Sequence, residues 1–242
     1  MWKYLAHAKR TLSVLRKANA NQAKPRTMAC TLVPINLHNP AEYAELQAQR
    51  VQCGWDAEDS KILAWREKQD QNLKSFFWIT LPAQSPPRDS ADNQADENRT
   101  IRAGHISLDA YADPPDPELA CADKSILTIQ NFFILPEYRR NRLGGKVMDL
   151  VEGMASQEPW GSPACRFVTV NAMSRRYFYE DWPEKLALWE TWADNPPVMC
   201  NVDWYTRRGY VYWKTEPRYR ERLKSGEEIK ILADFLRKPI TR

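Results

Sequence analysis

Runs of apolar residues alternate along this chain with polar and amphipathic segments, and three of the runs predict β-strands. They are rich in β-branched and aromatic side chains, which suit a pleated, half-buried surface. The runs are Cys30–Ile35, Ser75–Leu81 and Ile126–Leu135. Pro136 follows the third run directly and ends it, since proline cannot donate to a strand ladder.

A helix is predicted after the first strand from its capping residues. Asn39 suits the N-cap, Pro40 suits the first helical position, and Glu42 closes a capping box. We expect this helix to continue to about Gln52, where Gly54 ends it.

Two more helices are predicted. Asp56 is positioned to cap the first of them, whose apolar residues are Ile62, Leu63 and Trp65. The second has an apolar stripe whose members recur at steps of three and four, namely Leu143, Val147, Met148, Leu150, Val151 and Met154. The chain up to Leu81 therefore has the order strand, helix, helix, strand.

The segment Pro136–Lys146 joins the third strand to the third helix through a basic turn that contains glycine. A strand, such a turn and a helix in this order direct successive backbone N–H groups and the positive end of a helix dipole to one point. The sequence therefore predicts an anion site that fits a phosphate. A solvated run of surface arginines is the alternative explanation of the same residues.

These residues resemble the acyl-CoA-binding motif of the GCN5-related N-acetyltransferases, which reads Gln or Arg, two residues, Gly, one residue, then Gly or Ala. Arg139 matches its first position and Gly144 its last. Arg142 stands where the family usually has its first glycine, a residue that lets the backbone approach the pyrophosphate. Gly145 is available to share that task.

Three other segments resemble the family in the order that it requires. Ile101–Leu108 is similar to the strand before the CoA-binding strand, and Phe167–Asn171 to the strand after it. Trp204–Tyr210 resembles the Tyr-x-x-x-Gly-Phe/Tyr element near the family's C-terminus.

The resemblance implies one α/β domain over residues 28–242, with a central mixed, mostly antiparallel sheet of about seven strands flanked by helices. It implies an N-acetyltransferase that uses acetyl-CoA as co-substrate. The acceptor would be the amine of a small or amino-acid-like molecule, attacking directly in a ternary complex. A protein or peptide acceptor and a non-catalytic acyl-CoA binder are the alternatives.

The resemblance also assigns roles to residues. The groups expected to bind the co-substrate are Ile134, Leu135, Arg139, Arg140, Asn141, Arg142, Leu143, Gly144, Gly145, Lys146 and Asn171. Tyr205 is the candidate acid for the departing thiolate, because a phenol of pKa about 10 can protonate a thiolate of pKa about 8.5.

The residue that would take the proton from the amine is left open. Thr128, Gln130 and Asn131 occupy the central strand, so a glutamate base at the family's usual place is absent. Other candidates are Glu180, Asp181 and Asp203, each of which also suits a surface position. A chain of water molecules or a backbone carbonyl is a further alternative.

Two insertions interrupt this pattern. Residues 82–100 are rich in Asp, Asn, Gln and Ser and contain little to bury, so we expect a mobile, disordered loop. Residues 175–199 are rich in aromatic residues and are expected to fold. The acidic part of that segment, Glu180–Asp194, suits a wall that attracts a cationic amine, and equally suits an amphipathic helix.

Composition excludes several classes of protein. The chain has 242 residues, 43% of them hydrophobic, which fits one domain and excludes general disorder. No apolar run approaches the roughly 18 residues that span a bilayer. The five cysteines include no Cys-x-x-Cys pair and only three histidines accompany them, so we expect no metal site and reduced thiols.

Charge is distributed unevenly. Residues 1–27 form an arm with seven basic and no acidic residues, although the net charge is only +4. We expect a cytoplasmic protein, with mitochondrial import through this arm as the alternative. The arm and Arg218–Arg222 also raise a nucleic-acid partner as a lesser alternative to the amine acceptor.

Overall fold

The computed structural model describes residues 29–83, 100–139, 142–192 and 199–240. The arm 1–27, Met28 and positions 84–99 of the expected loop lie outside the described residues. The strands are β1 (Thr31–Pro34), β2 (Lys74–Pro82), β3 (Thr100–Asp109), β4 (Ile126–Ile134), β5 (Phe167–Met173), β6 (Val211–Arg222) and β7 (Glu228–Pro239). The α-helices are α1 (Pro40–Cys53), α2 (Asp59–Asp70), α3 (Leu143–Met154), α4 (Arg176–Tyr179), α5 (Pro183–Thr191) and α6 (Asn201–Arg207).

The seven described strands form one sheet in the order β1-β2-β3-β4-β5-β7-β6. Every neighbouring pair is antiparallel except β4 and β5, which run parallel. This mixed, mostly antiparallel sheet confirms the fold class that the sequence predicts.

Helices cover both faces of the sheet. On one face α3 packs its buried residues Leu143, Val147, Met148 and Val151 against the strands, and Val202 of α6 joins the same core. On the other face, Leu46 of α1 with Ile62 and Trp65 of α2 packs on Phe76 and Trp78 of β2. Leu150 was expected in the α3 stripe but is 39% exposed, because it lies at the edge of that stripe. No helix of the described residues is long and apolar enough to cross a membrane.

The two ends of α1 lie where the sequence predicts them. Asn39 Oδ1 accepts hydrogen bonds from the N–H groups of Ala41 and Glu42, and Gly54 takes a left-handed φ of 83° just after the helix. The expected capping box does not close. The Glu42 carboxylate instead accepts from the Asn36 N–H at 2.9 Å.

Asp56 does not cap α2, so that expectation is wrong. The N-cap is Glu58, whose side chain makes no capping hydrogen bond. Asp56 has a left-handed φ of 49°, and its carboxylate accepts from the Arg50 guanidinium at 3.3 Å. The buried guanidinium of Arg50 binds this carboxylate more strongly than the N-terminus of α2 would.

A buried ammonium group joins three strands on the α1/α2 face. The Lys74 side chain has no exposed surface, and its Nζ donates to Asp109 Oδ2 at 2.8 Å, Ser107 Oγ at 3.0 Å and Asn131 Oδ1 at 2.8 Å. Three oxygens satisfy the three donors of the ammonium. Burial lowers the pKa of Lys74 and raises the pKa of Asp109, and the attraction between the two groups opposes both shifts.

His105 lies in the same buried layer. Its Nδ1 is 2.9 Å from Gln49 Oε1, its Nε2 is 3.5 Å from Arg50 Nη1, and its ring contacts Phe76 and Phe133. Burial lowers the pKa of His105 well below its ordinary value, and the charges of Arg50 and Lys74 add to the shift. The folded protein therefore holds this imidazole neutral.

The substitution Lys74→Met should destabilise the fold by about 3–5 kcal/mol, because it leaves the Asp109 carboxylate buried without its cation. Urea unfolding measures the loss. The control Lys61→Met removes a lysine that is 50% exposed and 3.8 Å from Asp113, and should cost no more than about 1 kcal/mol. Equal stabilities of the two variants would contradict the role given to Lys74.

The free energy of unfolding should fall as the pH drops below about 6.5, because His105 is then protonated in the unfolded chain but not in the folded protein. This group alone should remove about 1.4 kcal/mol between pH 7.5 and 5.5. His105→Gln should abolish that part of the loss, whereas His38→Gln, at an exposed side chain, should leave it in place. Urea unfolding at the two pH values gives the comparison, and identical pH slopes in wild type and His105→Gln would refute it.

Candidate functional site

A gap opens between the two parallel strands. β4 and β5 pair only from Ile126 to Thr128 on one side and from Phe167 to Thr169 on the other. Beyond these residues the strands diverge, although each continues for several residues. The unpaired stretches, Ile129–Ile134 and Val170–Met173, form what we call the β4–β5 gap. Unpaired strand edges present N–H and C=O groups to whatever lies between them.

A β-bulge lies in the diverging part of β4. Opposite Ile106 of β3, β4 carries an extra residue, since His105 pairs with Phe133 but Ser107 pairs with Gln130. Asn131 in the bulge has a left-handed φ of 49°, and its side-chain oxygen accepts from Lys74. The buried ammonium of Lys74 therefore holds the bulge from the face of the sheet that α1 and α2 cover.

At the end of β4, the expectation that the backbones of both Ile134 and Leu135 bind the co-substrate is wrong for Leu135. The Leu135 N–H donates to Ala103 O of β3 at 2.9 Å, so Leu135 faces the neighbouring strand and not the gap. Strand alternation turns the backbone of Ile134 to the gap side. The Ile134 carbonyl accepts from Arg139 Nε at 2.8 Å, and the Arg139 guanidinium lies 5.3 Å from the Phe133 ring.

The N-terminus of α3 follows the end of β4. Arg142, its N-cap, has a left-handed φ of 61°, which glycine adopts without the steric cost of a Cβ. The first intrahelical bond of this turn runs from the Lys146 N–H to Arg142 O at 3.2 Å. The N–H groups of Leu143, Gly144 and Gly145 therefore have no acceptor within the helix, and no acidic residue lies in its first turn. Arg140 and Asn141 lie outside the described residues.

Gly144 lies at a close approach between α3, α6 and β4. A Cβ on this residue would come 3.5 Å from the Trp204 ring and 3.7 Å from Cδ1 of Ile134. A side chain on this residue would therefore be in van der Waals contact with both groups.

Tyr205 lies on α6 within an aromatic group. Its ring centroid is 5.0 Å from that of Trp204 and 5.6 Å from that of Tyr210. Burial raises the pKa of Tyr205, the nearby Tyr219 phenol adds to the rise, and Arg208 opposes it. The hydroxyl makes no hydrogen bond to another described residue. It stays protonated near neutral pH and is free to donate.

A second tyrosine, Tyr219 of β6, was not identified from the sequence. Its hydroxyl donates to Asn171 Oδ1 at 2.8 Å on the gap side of β5. In the sequence it stands within the basic run Arg218–Arg222, which suggested nucleic acid. In the structure that run is a strand, where Arg220 forms a cross-strand ion pair with Glu228. The alternation of aromatic and charged residues in this run was the sequence signal that could have identified it as a strand.

None of the three candidate bases bonds to Tyr205. Glu180 accepts from Arg176 at 2.8 Å, Asp181 is fully exposed near Lys185, and Asp203 accepts from Tyr179. Each therefore has a structural partner at the surface. These positions give no carboxylate that faces the gap.

The aromatic insertion forms α4 and α5 and packs on the last two strands. Tyr177 and Leu188 are buried against Leu223 and Ile231. Positions 193–198 of the insertion lie outside the described residues. Trp192, at the end of α5, reaches back to Trp55 in the α1–α2 connection, with ring centroids 5.9 Å apart.

Known proteins resemble this chain in structure and not in sequence. Neither a protein-family model nor a curated protein sequence matches it. The loading GNATL domain of CurA from Lyngbya majuscula has a TM-score of 0.51 at 14% identity, over 85% of this chain and 96% of that domain.

Two other solved structures are more distant. Arabidopsis thaliana NAA60 in complex with acetyl-CoA has a TM-score of 0.48 at 12% identity, covering 88% of this chain and 99% of its own. A probable GNAT-family acetyltransferase from Chromobacterium violaceum has a TM-score of 0.47 at 15% identity, covering 98% and 96%. With one parallel pair among its described strands, which opens into a gap, and with its likeness to the CurA domain, the chain has the acyl-CoA N-acyltransferase fold of the GCN5-related N-acetyltransferases.

Proposed function

We propose that the protein is an N-acetyltransferase that moves the acetyl group of acetyl-CoA to the amine of a small or amino-acid-like acceptor. One observation carries the proposal: the β4–β5 gap ends at a helix N-terminus whose first N–H groups have no acceptor within the helix. A strand edge beside an anion site matches a ligand with an amide-bearing arm and a pyrophosphate.

Acetyl-CoA has both parts. Its pantetheine arm carries two amides and would lie along β4 like an added strand, bonding to the backbone of Ile134. Its pyrophosphate would accept from the N–H groups of Leu143, Gly144 and Gly145. The Arg142 side chain, at the start of the same turn, adds positive charge.

The transfer makes one bond and breaks another. The amine nitrogen attacks the thioester carbonyl, the new N–C bond forms, and the C–S bond breaks to release a thiolate. Tyr205 would protonate the sulfur, and the nitrogen loses its extra proton to a base or to water. An amine of pKa about 10.4 is neutral in only about one molecule in 10³ near pH 7.4, a cost of roughly 4 kcal/mol that the site has to offset.

A non-catalytic acyl-CoA binder is the second candidate. It is favoured by Arg142 in place of a glycine and by the lack of a carboxylate on the central strand β4. A peptide acceptor is a further alternative. The contact between Trp55 and Trp192 disfavours it, because the two rings narrow the approach to the gap. Turnover of acetyl-CoA with a panel of amines separates the enzyme from the binder.

Gly144→Glu should lower the affinity for acetyl-CoA at least about 100-fold, because it puts a carboxylate beside the pyrophosphate in a tightly packed turn. Isothermal titration calorimetry measures the affinity. The control is Gly153→Glu, the same change on the same helix, at a position with nothing within 4 Å of an added Cβ. Undiminished binding by the Gly144 variant would remove this turn from the site.

Tyr205→Phe should reduce kcat by about 10²–10⁴ if the hydroxyl acts as a full general acid, with little change in acetyl-CoA affinity. The control Tyr212→Phe removes an exposed hydroxyl that bonds only to Thr215 among the described residues, and should be neutral. Steady-state kinetics with calorimetry separates the two effects. A full rate in Tyr205→Phe, or a larger loss in Tyr219→Phe, would assign the acid elsewhere.

A further inference from the structure

Three aromatic rings from distant parts of the sequence meet beside the β4–β5 gap. Trp55 follows α1, Trp192 follows α5, and Tyr219 lies on β6. The centroid of Trp55 is 5.9 Å from that of Trp192 at an interplanar angle of 66°, and 6.2 Å from that of Tyr219 at 59°. One indole is thus flanked by two rings at steep angles to it, as in the edge-to-face pairs that aromatic side chains prefer.

This group of rings, which we call the aromatic box, remains accessible. Trp55 is 42% exposed, and Trp192 and Tyr219 are only partly buried. Trp55 belongs to none of the buried core clusters, so its packing in the core does not explain its position. Its exposed surface and its two ring partners make it a candidate for ligand binding.

The aromatic box adjoins the gap through Tyr219. One end of this side chain contacts Trp55, and its hydroxyl donates to Asn171 on the gap side of β5. The Tyr219 phenol is also close enough to contribute to the raised pKa of Tyr205. A group bound against the rings would therefore be separated from Asn171 by the Tyr219 side chain.

Two carboxylates lie at the edge of the box. Asp56, next to Trp55, is 42% exposed, and its Oδ1 accepts no hydrogen bond from another described residue. Glu221 accepts from Trp192 Nε1 at 3.0 Å. Burial raises the pKa of Tyr219 to about 12, Arg218 opposes the rise and Asp56 adds to it, so the charge of Asp56 reaches the box.

Two cations lie near the box, and one of them already shares Asp56, which leaves Asp56 Oδ1 for a ligand. The Arg50 guanidinium is buried and bonds to Asp56 Oδ2, and Arg218 donates to the Pro114 carbonyl. Ring faces and carboxylates together favour a cation over a neutral or anionic group, because the quadrupole of each ring presents negative charge at its face.

We propose that the aromatic box, with Asp56 as counter-ion, binds a non-reacting ammonium group of the acceptor. This rests on the proposed function and specifies its substrate class. The acceptor is an organic cation that carries a second, primary amine on a short spacer. The ammonium stays charged against the rings, while the primary amine loses its proton and attacks the thioester.

The first test needs no acyl donor. Choline and its neutral isostere 3,3-dimethyl-1-butanol differ in one atom, nitrogen against carbon, and saturation-transfer NMR reports the affinity of each. Choline should bind about 2- to 30-fold more tightly. Trp55→Ala should abolish this preference, and Trp55→Phe should keep part of it. Gly144→Glu should keep all of it, since that change affects only the acetyl-CoA site.

The second test uses turnover. The acceptors are (2-aminoethyl)trimethylammonium and 3,3-dimethylbutan-1-amine, again a cation and its neutral isostere. Their ratio of kcat/KM should fall in Asp56→Asn and in Trp55→Ala, by about the same factor as the choline preference. The control is Asp181→Asn, at a fully exposed carboxylate. The two amines have different pKa values, but this difference affects the kcat/KM ratio of wild type and of each variant equally. It therefore cancels when the ratios are compared.

The outcomes separate the two proposals. Equal binding of choline and its isostere by the wild-type protein, or a preference that survives Trp55→Ala, refutes the aromatic box whatever the enzyme does. A preference that depends on Trp55, without transfer to any amine, supports the box as a cation site and refutes the acetyltransferase. A lost acceptor ratio in Asp181→Asn would move the cation site to the insertion.

Discussion

The ammonium of Lys74 is the constraint on which the rest of the site depends. A buried cation is tolerated only when oxygens take all of its donors, and here β3 supplies two of the oxygens and β4 the third. The oxygen from β4 belongs to Asn131, the residue that takes the left-handed conformation in the bulge. Satisfying the charge therefore fixes the local shape of the central strand. The bulge lies in the part of β4 that no longer pairs with β5.

The separation of the two strands has a chemical consequence. A parallel pair that stops after three residues leaves backbone donors and acceptors unpaired in the middle of a sheet, where water or a ligand has to satisfy them. The same is true of the first N–H groups of α3, which have no helical acceptor and no side-chain cap. Both sets of groups lie at the same end of β4. This coincidence is the structural basis of the acetyl-CoA site that we propose.

Arg142 shows how a departure from a motif is accommodated. The turn requires a residue with positive φ, and arginine takes that conformation at 61°, at a steric cost that glycine avoids. In return the turn gains a guanidinium beside the anion site. Gly144 remains where Trp204 and Ile134 leave little room for a side chain. The backbone geometry that the motif encodes is thus compatible with one substitution and not with another.

Local patterns in the sequence determined the main strands and helices. Strand composition, the Asn39 cap and the stripe of α3 depend on neighbours a few residues away, and so does the order of strand, basic turn and helix. The tertiary structure alone decided the rest. Asp56 binds Arg50 and does not cap a helix, and Lys74 is the centre of a buried network. Trp55 contacts Trp192 and Tyr219, which are more than a hundred residues away in the sequence. The physical reason is that a charge or a ring at one position is stabilised by partners that only folding brings near, and no local pattern records which partners those are.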